Sequence, residues 1–562
     1  MNIQILVFYF VMIGSIWAQV VPRTFFVREE EEDTEGLQSN VVVEIIAQGK
    51  KTIWLGTGKG LSFIEVSSGE EEEPEPYTFP NEELFKNEKS TDNGISAIGV
   101  IDCRTKGCVD NKTVLVAGAT KIDKETAGGG LALSIDSDDL SSATWTYFEQ
   151  PTDGAGEDSV VWGGVTLKAL PVTVKQNNVT YDISIGKDYY WIASWAGGLR
   201  RIKKDNLKES DAEWERVPLP LDTQNDFICG DPDSSYVLDD EGNIGNPGFP
   251  DYELNPRDPP LGNHNHKAFS VITYNDTIWV GTANGINRGI MDASSDCVDW
   301  KHYSFPTSSM SGNWVIAIEK QEWEGRRTIW AVTRAADQAG EVNGISYTKN
   351  DGETWQTVSL LKGEYGYNIF AVDSLVYIAT RNGLWRTQDG KSFALYRPAI
   401  DKASSDEIID NDVYAVLHDK RLDYDDPRIL DGTLWIGTGD GLARSHTPSS
   451  NESIWQIYRS NVSSNTPYAY PNPFSPTLHN RLDGDGYVRF YYKVKKSNLI
   501  KLIVLSFAME EVRAIDFTRG EGQGALKWDG RDEAGNLVAN GTYFCNLFYD
   551  DTSHWVKLVV VK

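Results

Sequence analysis

TIWLGTGKGL, residues 52–61, is the stretch whose reading decides the fold. An apolar run containing Trp54 leads into a small pair, Gly56-Thr57, and then a turn ending in Gly60 and an aliphatic residue. TIWVGTANGI at 277–286 and TLWIGTGDGL at 433–442 repeat it almost letter for letter. YYWIASWAGGL at 189–199 and VYIATRNGL at 376–384 are looser copies, and TVLVAGAT with GGL (113–131) and TIWAVT with NGI (328–345) are stretched ones. The copies can be anchored on Gly60, Gly130, Gly198, Gly285, Gly344, Gly383 and Gly441. Their mean spacing is about 64 residues and the shortest about 39, the size of one four-stranded blade. Repetition at this scale means an array or a propeller, because one unit cannot bury its apolar faces alone.

Each unit reads as four strands. In the last these are DVYAVLHD (412–419), TLWIGTG, GLARSH and SIWQIYRS (453–460); in the unit before, YNIFAVD, LVYIAT, GLWRT and FALYR. The runs are short, rich in β-branched and aromatic residues, and split by Gly, Asn and Asp turns. Gly at the end of the turn supplies positive φ without strain. No segment holds a helical period. The expectation is an all-β chain: a seven-bladed β-propeller over residues 40–460, then a small Ig-like β-sandwich. Trp54, Trp191, Trp279, Trp330 and Trp435 are expected to pack between blades rather than to face a ligand.

The 562 residues carry a net charge of −29 and 18 Trp. A polyanionic nucleic acid is therefore excluded as partner, since phosphate binding needs clustered Lys and Arg. Residues 1–18, MNIQILVFYFVMIGSIWA, have the apolar length and small-residue end of a cleaved signal peptide, although no Lys or Arg opens them. A membrane anchor is the alternative; no other span approaches the ~20 apolar residues that cross a bilayer. Residues 19–39 form an acidic segment including Glu29–Asp33, and a second acidic run covers Glu70–Glu73; both read as solvated loops.

An exported chain permits disulfides. Of five Cys, Cys103 and Cys108 can staple a hairpin, Cys229 and Cys297 can pair between blades, and Cys545 is left over and buried. The sequons at Asn111, Asn178, Asn451 and Asn461 would carry glycans only in a eukaryotic pathway. The insertion from Asp222 to His266 separates the third and fourth copies and is a functional-loop candidate by its length. Its Asp231, Asp233, Asp239 and Asp240 offer oxygen ligands but lack the spacing of a calcium loop, so a solvated loop is favoured over calcium. His264 and His266 read as surface histidines rather than a metal site. No other metal or cofactor signal is found, and no catalytic residue stands out.

The repeated phrase resembles the two-component-regulator propeller repeat, most closely in the first, fourth and seventh copies. Thr348-Lys-Asn-Asp-Gly-Glu-Thr-Trp355, and more loosely Asp389-Gly-Lys-Ser-Phe393, resemble Asp-box hairpins, which are structural in their family. After the proline-rich linker, 461–476, residues 477–562 resemble two related C-terminal modules. Trp528-Asp529-Gly530-Arg531-Asp532, Gly535, Gly541 and Tyr543 match the Ig-like domain of the flagellar hook-capping protein. Tyr470-Pro471-Asn472-Pro473-Phe474 and the closing Lys557–Lys562 match the type A sorting domain of type IX secretion. One departure stands out: Phe507-Ala-Met-Glu-Glu-Val512 occupies a turn that usually holds Gly.

These resemblances imply a binding or display protein. It would be exported through the periplasm of a Gram-negative-type bacterium and released or held at the outer surface. The secretion machinery would read the tail, and the propeller face would meet a glycan or protein ligand. The alternative is a glycoside hydrolase or lyase on a propeller, which needs two positioned carboxylates that nothing in the sequence marks. The xyloglucan-cleaving propeller family uses two propellers, and one is read here. A sensor protein would continue into a membrane helix and an output domain, whereas this chain continues into a sandwich.

Overall fold

The Thr and Gly of the well-matched repeats close a hairpin in the same way. Thr57 Oγ1 donates to the Gly60 carbonyl (2.8 Å) and accepts from Lys59 N (3.2 Å). Thr282 with Gly285 and Thr380 with Gly383 repeat both bonds. Gly285 shows why no side chain fits there: its φ is +102°, and a Cβ would run into the Tyr303 carbonyl. Gly344 is the exception, since it ends a longer connection and is not left-handed.

The structure is a computed structural model. It describes residues 36–66, 76–79, 84–85, 94–105, 111–135, 140–208, 212–230, 252–292, 294–388, 390–396, 412–421, 432–439, 441–445, 455–458, 467–477, 487–494, 498–519 and 522–562. The signal peptide, both acidic runs, Cys108, Asp231, Asp233, Asp239 and Asp240 lie outside these residues, as do Asn451 and Asn461.

The repeats build seven antiparallel sheets with the strands in chain order. Their first strands are Val42–Gln48, Gly94–Val100, Thr180–Ile185, Ala268–Tyr274, Trp314–Trp323, Gly366–Val372 and Val413–Asp419. Each first strand packs against the first strand of the next sheet, and that of the last sheet packs against Val42–Gln48, so the ring closes as a β-propeller. The repeat Trp residues are buried, as expected. Trp54 lies among Ile95, Val114 and Val116 of the second sheet, which makes it core between blades.

Polar side chains tie neighbouring sheets. Gln48 accepts from Trp54 Nε1 (2.7 Å) and donates to the Thr113 carbonyl of the second sheet's hairpin (2.7 Å). Gln321 does the same between Trp330 Nε1 (3.0 Å) and the Asp373 carbonyl (2.8 Å).

Every first strand carries a β-bulge near its start, at Val43, Ser96, Tyr181, Phe269, Ile316, Tyr367 and Tyr414. An extra residue bends the strand and sharpens its twist. Because the strands are antiparallel, the starts of the first strands share a face with the Thr–Gly turns and the connections between sheets. This is the connection face.

The fourth sheet departs from four strands. Asp226–Phe227 adds a fifth outside Cys297–Tyr303. Cys229 follows this added strand and is disulfide-bonded to Cys297, so the bond fastens an insertion to its own sheet and does not run between blades. Cys103 is disulfide-bonded too, and Cys545 is free and buried. Glu253–Leu254 of the same insertion pairs in parallel with Val165–Ala169, which pairs with Ser159–Trp162. The connections before the third and fourth sheets thus form one small sheet, cored by Trp162, Leu167, Phe227 and Leu254.

The tail is a two-sheet sandwich. Tyr468–Tyr470, Val488–Val494 and Gly522–Trp528 form one sheet. Glu511–Arg519, Asn498–Leu505, Gly541–Tyr549 and Thr552–Val560 form the other. The stretch read as a linker, 461–476, therefore contributes a strand, and its Phe474 is buried in the sandwich core.

The turn without Gly is built around Ser506, whose Oγ accepts from Ala508 N and Glu510 N, and Met509 takes the left-handed φ of +63°. A Met there is strained where Gly is not. Replacing Met509 by Gly is expected to stabilise the sandwich by about 1 kcal/mol, read as a rise in its denaturant midpoint; an unchanged or lower midpoint contradicts the assignment.

Candidate functional site

Two positions of the repeat decide what the connection face displays at its centre. One is the residue two before the bulge of each first strand; the other follows the small residue and the Thr or Ser of the repeat and lies opposite it. In the first and last copies the second position is Gly58 and Gly439, and in the fourth it is Ala283. In the third, fifth and sixth it is Trp195, Arg334 and Arg381. The first position is Lys267, Trp314 and Tyr365 in the fourth to sixth copies. Large aromatic and cationic side chains therefore replace scaffold residues on one side of the ring.

They touch as a crescent. Trp195 and Trp314 meet edge-on at 5.8 Å, and both pack on the buried Phe269 ring, at 5.2 and 6.0 Å. Lys267 Nζ lies 4.8 Å from the Trp195 ring and is ion-paired with Asp258. Trp314 pairs with Arg334 across the strands. The Arg334 and Arg381 guanidiniums lie 3.9 and 4.1 Å from the Tyr365 ring. Arg334 donates to Tyr365 Oη (2.7 Å) and to the Gly366 carbonyl (2.9 Å), and burial pushes its guanidinium down to about 10. Trp195, Trp314 and Tyr365 are half-buried, and Arg381 is exposed. At the end of the crescent Tyr367 Oη donates to Asp412 Oδ1 (3.2 Å), and burial raises the Asp412 carboxyl.

Beside the crescent, along the first strands, lie the bulged rings. Tyr367 and Tyr414 meet at 4.9 Å and Tyr181 and Phe269 at 6.3 Å. Below them lies a cavity of about 610 Å³ lined by the first strands of all seven sheets, with Glu44, Asp182, Ser184, Thr273 and Asn368 among its polar residues. Its far mouth is spanned by Arg104, which donates to Glu319 Oε1 (2.5 Å) and to the Ala371 carbonyl (2.5 Å). Burial raises the Glu319 carboxyl against the opposing pull of Arg104.

The insertion expected to carry function is partly scaffold. His266 is buried, not a surface residue: Nδ1 accepts from Asn255 N (2.9 Å) and Nε2 meets the Leu219 carbonyl (3.0 Å). Its long connection has to bury something to stay folded, and an imidazole bonded at both nitrogens serves. His264 is half-buried beside Lys267. Among the described residues no group of three or more His, Cys, Asp or Glu is placed to hold a metal. Asn178 is fully buried and donates to the Pro151 carbonyl, so that sequon is closed to modification in the folded chain.

The tail motif converges on one edge of the sandwich. Asn472 Nδ2 donates to the Lys557 carbonyl (2.7 Å) and its Oδ1 accepts from Val559 N (3.0 Å). Phe474 N donates to the Val559 carbonyl (2.7 Å), so the Tyr470–Phe474 segment with Pro471 and Pro473 covers the edge of the last strand. Asp529 Oδ1 accepts from Arg531 N, and Trp528 Nε1 donates to the Arg531 carbonyl (2.9 Å). A Cβ on Gly530 (φ +73°) would meet Pro476 and Phe474. Tyr543 packs edge-on against Trp528 at 5.9 Å and donates to the Ala539 carbonyl (2.8 Å). Gly541 opens its strand with nothing near the Cβ position.

Neither a protein-family model nor a curated protein matches the chain. Similar solved structures are propeller proteins. PorZ, a surface component of the type IX secretion system of Porphyromonas gingivalis, is 14% identical with a TM-score of 0.30, covering 91% of this chain. The chain spans 64% of the length of PorZ. The GH74 enzyme of Niastella koreensis is 10% identical with a TM-score of 0.44, over 94% of this chain and 74% of that one. BamB from Moraxella catarrhalis is 9% identical with a TM-score of 0.34, over 76% and 99%. Among the described residues no helix is long and apolar enough to cross a membrane.

Proposed function

We propose that the chain is an extracellular binding protein: a seven-bladed propeller that presents the crescent to a ligand, carrying an Ig-like tail that directs secretion or surface attachment. The observation that carries the reading is the crescent itself. Gly and Ala at one repeat position suffice for the fold, as Gly58, Ala283 and Gly439 show. Trp195, Arg334 and Arg381 at that position are half-buried, buried and exposed respectively. Half-exposed aromatics beside a cation are the usual anchors of a binding face.

The tail reading rests on the Tyr470–Phe474, Trp528–Gly530 and Gly541–Tyr543 motifs. Their bonds also explain them as fold elements, so the address is tested in cells. Deleting residues 468–562 is expected to leave the propeller folded and to abolish surface delivery, read by fractionation and surface labelling. Unchanged delivery removes the sorting role. The binding role is tested separately with the propeller variants below.

A further inference from the structure

We infer that residues 102–105 are a redox-held strap across the far mouth of the central cavity, seated while Cys103 is in its disulfide and released when Cys103 is reduced. The inference is independent of the crescent, which lies on the opposite face.

The first argument is the path of the chain. The strap continues the second sheet's first strand, Gly94–Val100, and then crosses the first strands of other sheets. Asp102 forms a bridge with Gln48, and Cys103 N donates to the Ala47 carbonyl (3.1 Å), both at the end of the first sheet's first strand. Thr105 forms a bridge with Lys420, whose N donates to the Arg104 carbonyl (2.9 Å), just past the seventh sheet's first strand. The Arg104 side chain reaches the fifth and sixth sheets: it donates to Glu319 and to the Ala371 carbonyl and lies 4.4 Å from the Phe370 ring. Asp102 pairs with the same guanidinium. Asp102, Arg104 and Thr105 all line the cavity. The strap thus occupies strand edges around the axis that would otherwise present unpaired backbone groups.

The second argument is what holds the strap down. Val100 belongs to the apolar core between the first and second sheets, but Ile101 is exposed, and of the strap's four side chains Cys103 alone is buried. The rest of the hold is polar. The Arg104–Glu319 pair adds direction more than strength: burial raises the Glu319 carboxyl against the pull of Arg104, so the cost of desolvation outweighs the attraction. A segment with so little buried apolar surface opens at a small fraction of the stability of the whole ring. Cys103 is disulfide-bonded, and the cross-link narrows the set of open conformations. Cleaving it therefore shifts the balance toward the open strap. The reductant is a thiol such as glutathione. One thiolate forms a mixed disulfide and expels a protein thiolate, and a second expels the other as the reductant's own disulfide. Two electrons enter the protein, and each new thiolate takes up a proton as its pKa dictates.

The test is amide hydrogen exchange on the full chain in oxidised and in reduced glutathione, with the wild type, Cys103→Ser and Arg104→Gln. The reporter is the Lys420 amide, which bonds the strap. The internal control is Leu434–Ile436, in the central part of the same sheet. In the wild type the Lys420 amide is expected to exchange about tenfold faster after reduction, while the control keeps its rate. Cys103→Ser should show the fast rate in both buffers, and it reports strap release even where glutathione fails to reach the buried sulfur. Arg104→Gln should speed the reporter in oxidised buffer with the disulfide intact. A Cys103→Ser variant whose Lys420 amide stays as slow as in the oxidised wild type overturns the inference. Equal acceleration of Leu434–Ile436 overturns it too, because the bond would then be holding the sheet and not a strap.

Discussion

Replacing Arg421 by Ala is expected to destabilise the propeller by about 3–5 kcal/mol, the cost of leaving one partner of a buried ion pair alone. Arg421 stands at the end of the last sheet's first strand and reaches the first sheet. Its Nη1 donates to the carbonyls of Gln48 (2.8 Å), Gly49 (3.1 Å) and Thr52 (3.0 Å), and its Nε and Nη2 hold Asp419 at 2.9 Å. Both side chains are 2% exposed. The seventh sheet takes all four strands from one end of the repeat region and the first sheet from the other. Among the described residues no strand exchange closes this ring, so side chains must. The Ala variant loses the donor of three buried carbonyls and strands a carboxylate. Pairing Arg421→Met with Asp419→Ala should recover part of the loss, because the orphaned charge is gone while the carbonyls remain unbonded. Guanidinium unfolding reads both. A shift under about 1 kcal/mol for Arg421→Ala would mean that apolar packing alone closes the ring.

The second large effect is expected at Asp153. It lies in the connection before the third sheet and faces two guanidiniums at once: Arg200 Nη2 at 2.7 Å and Arg216 Nη1 at 3.2 Å. Val172 N also donates to it (2.6 Å), and the three side chains are 2, 3 and 8% exposed. Arg200 and Arg216 are neighbours across paired strands, so they repel each other, and the single carboxylate between them offsets that repulsion. Asp153→Asn keeps the shape and removes the charge. It should cost about 3–5 kcal/mol and expose residues 151–176 to protease. A second change, Arg200→Met, should restore much of the stability. If Asp153→Asn melts with the wild type, the inserted connection is held by its apolar core and not by this charge.

Much of the ring was legible because its cause is local. A small-Thr pair and a Gly three residues after the Thr make a hairpin wherever they occur, and the Trp before them is buried wherever two sheets stack. The bulges were not legible. They follow from the crowding of seven strand starts around one axis, and Val43, Ser96 and Tyr181 share no residue type. The parallel pairing of Val165–Ala169 with Glu253–Leu254 joins segments too far apart in sequence for any local pattern to show. The Cys229–Cys297 bond reads from the sequence as a pair between blades and lies within one sheet, because the added strand at Asp226–Phe227 is only two residues long. In the tail, Tyr468–Tyr470 looked like part of a proline-rich linker because a three-residue strand has no periodicity to read.

The crescent does not show in the repeat for a physical reason. What the copies share is the scaffold: Trp54, Gly56, Thr57 and Gly60 and their equivalents. The informative positions are those where the copies differ although the backbone does not. Trp195 in SWAGG, Arg334 in TRAAD and Arg381 in TRNG replace a Gly or Ala that the same turn accepts elsewhere.

The most direct measurement of the central claim is a binding screen of the full chain against an array of extracellular glycans and surface proteins, repeated with the Trp314→Ala/Arg381→Gln double variant and with Trp323→Ala. If the departures from the repeat are the ligand face, the double variant loses the specific signals and the opposite-face variant keeps them. A folded double variant that binds as the wild type does would show that the crescent is scaffold and that the ligand is met elsewhere.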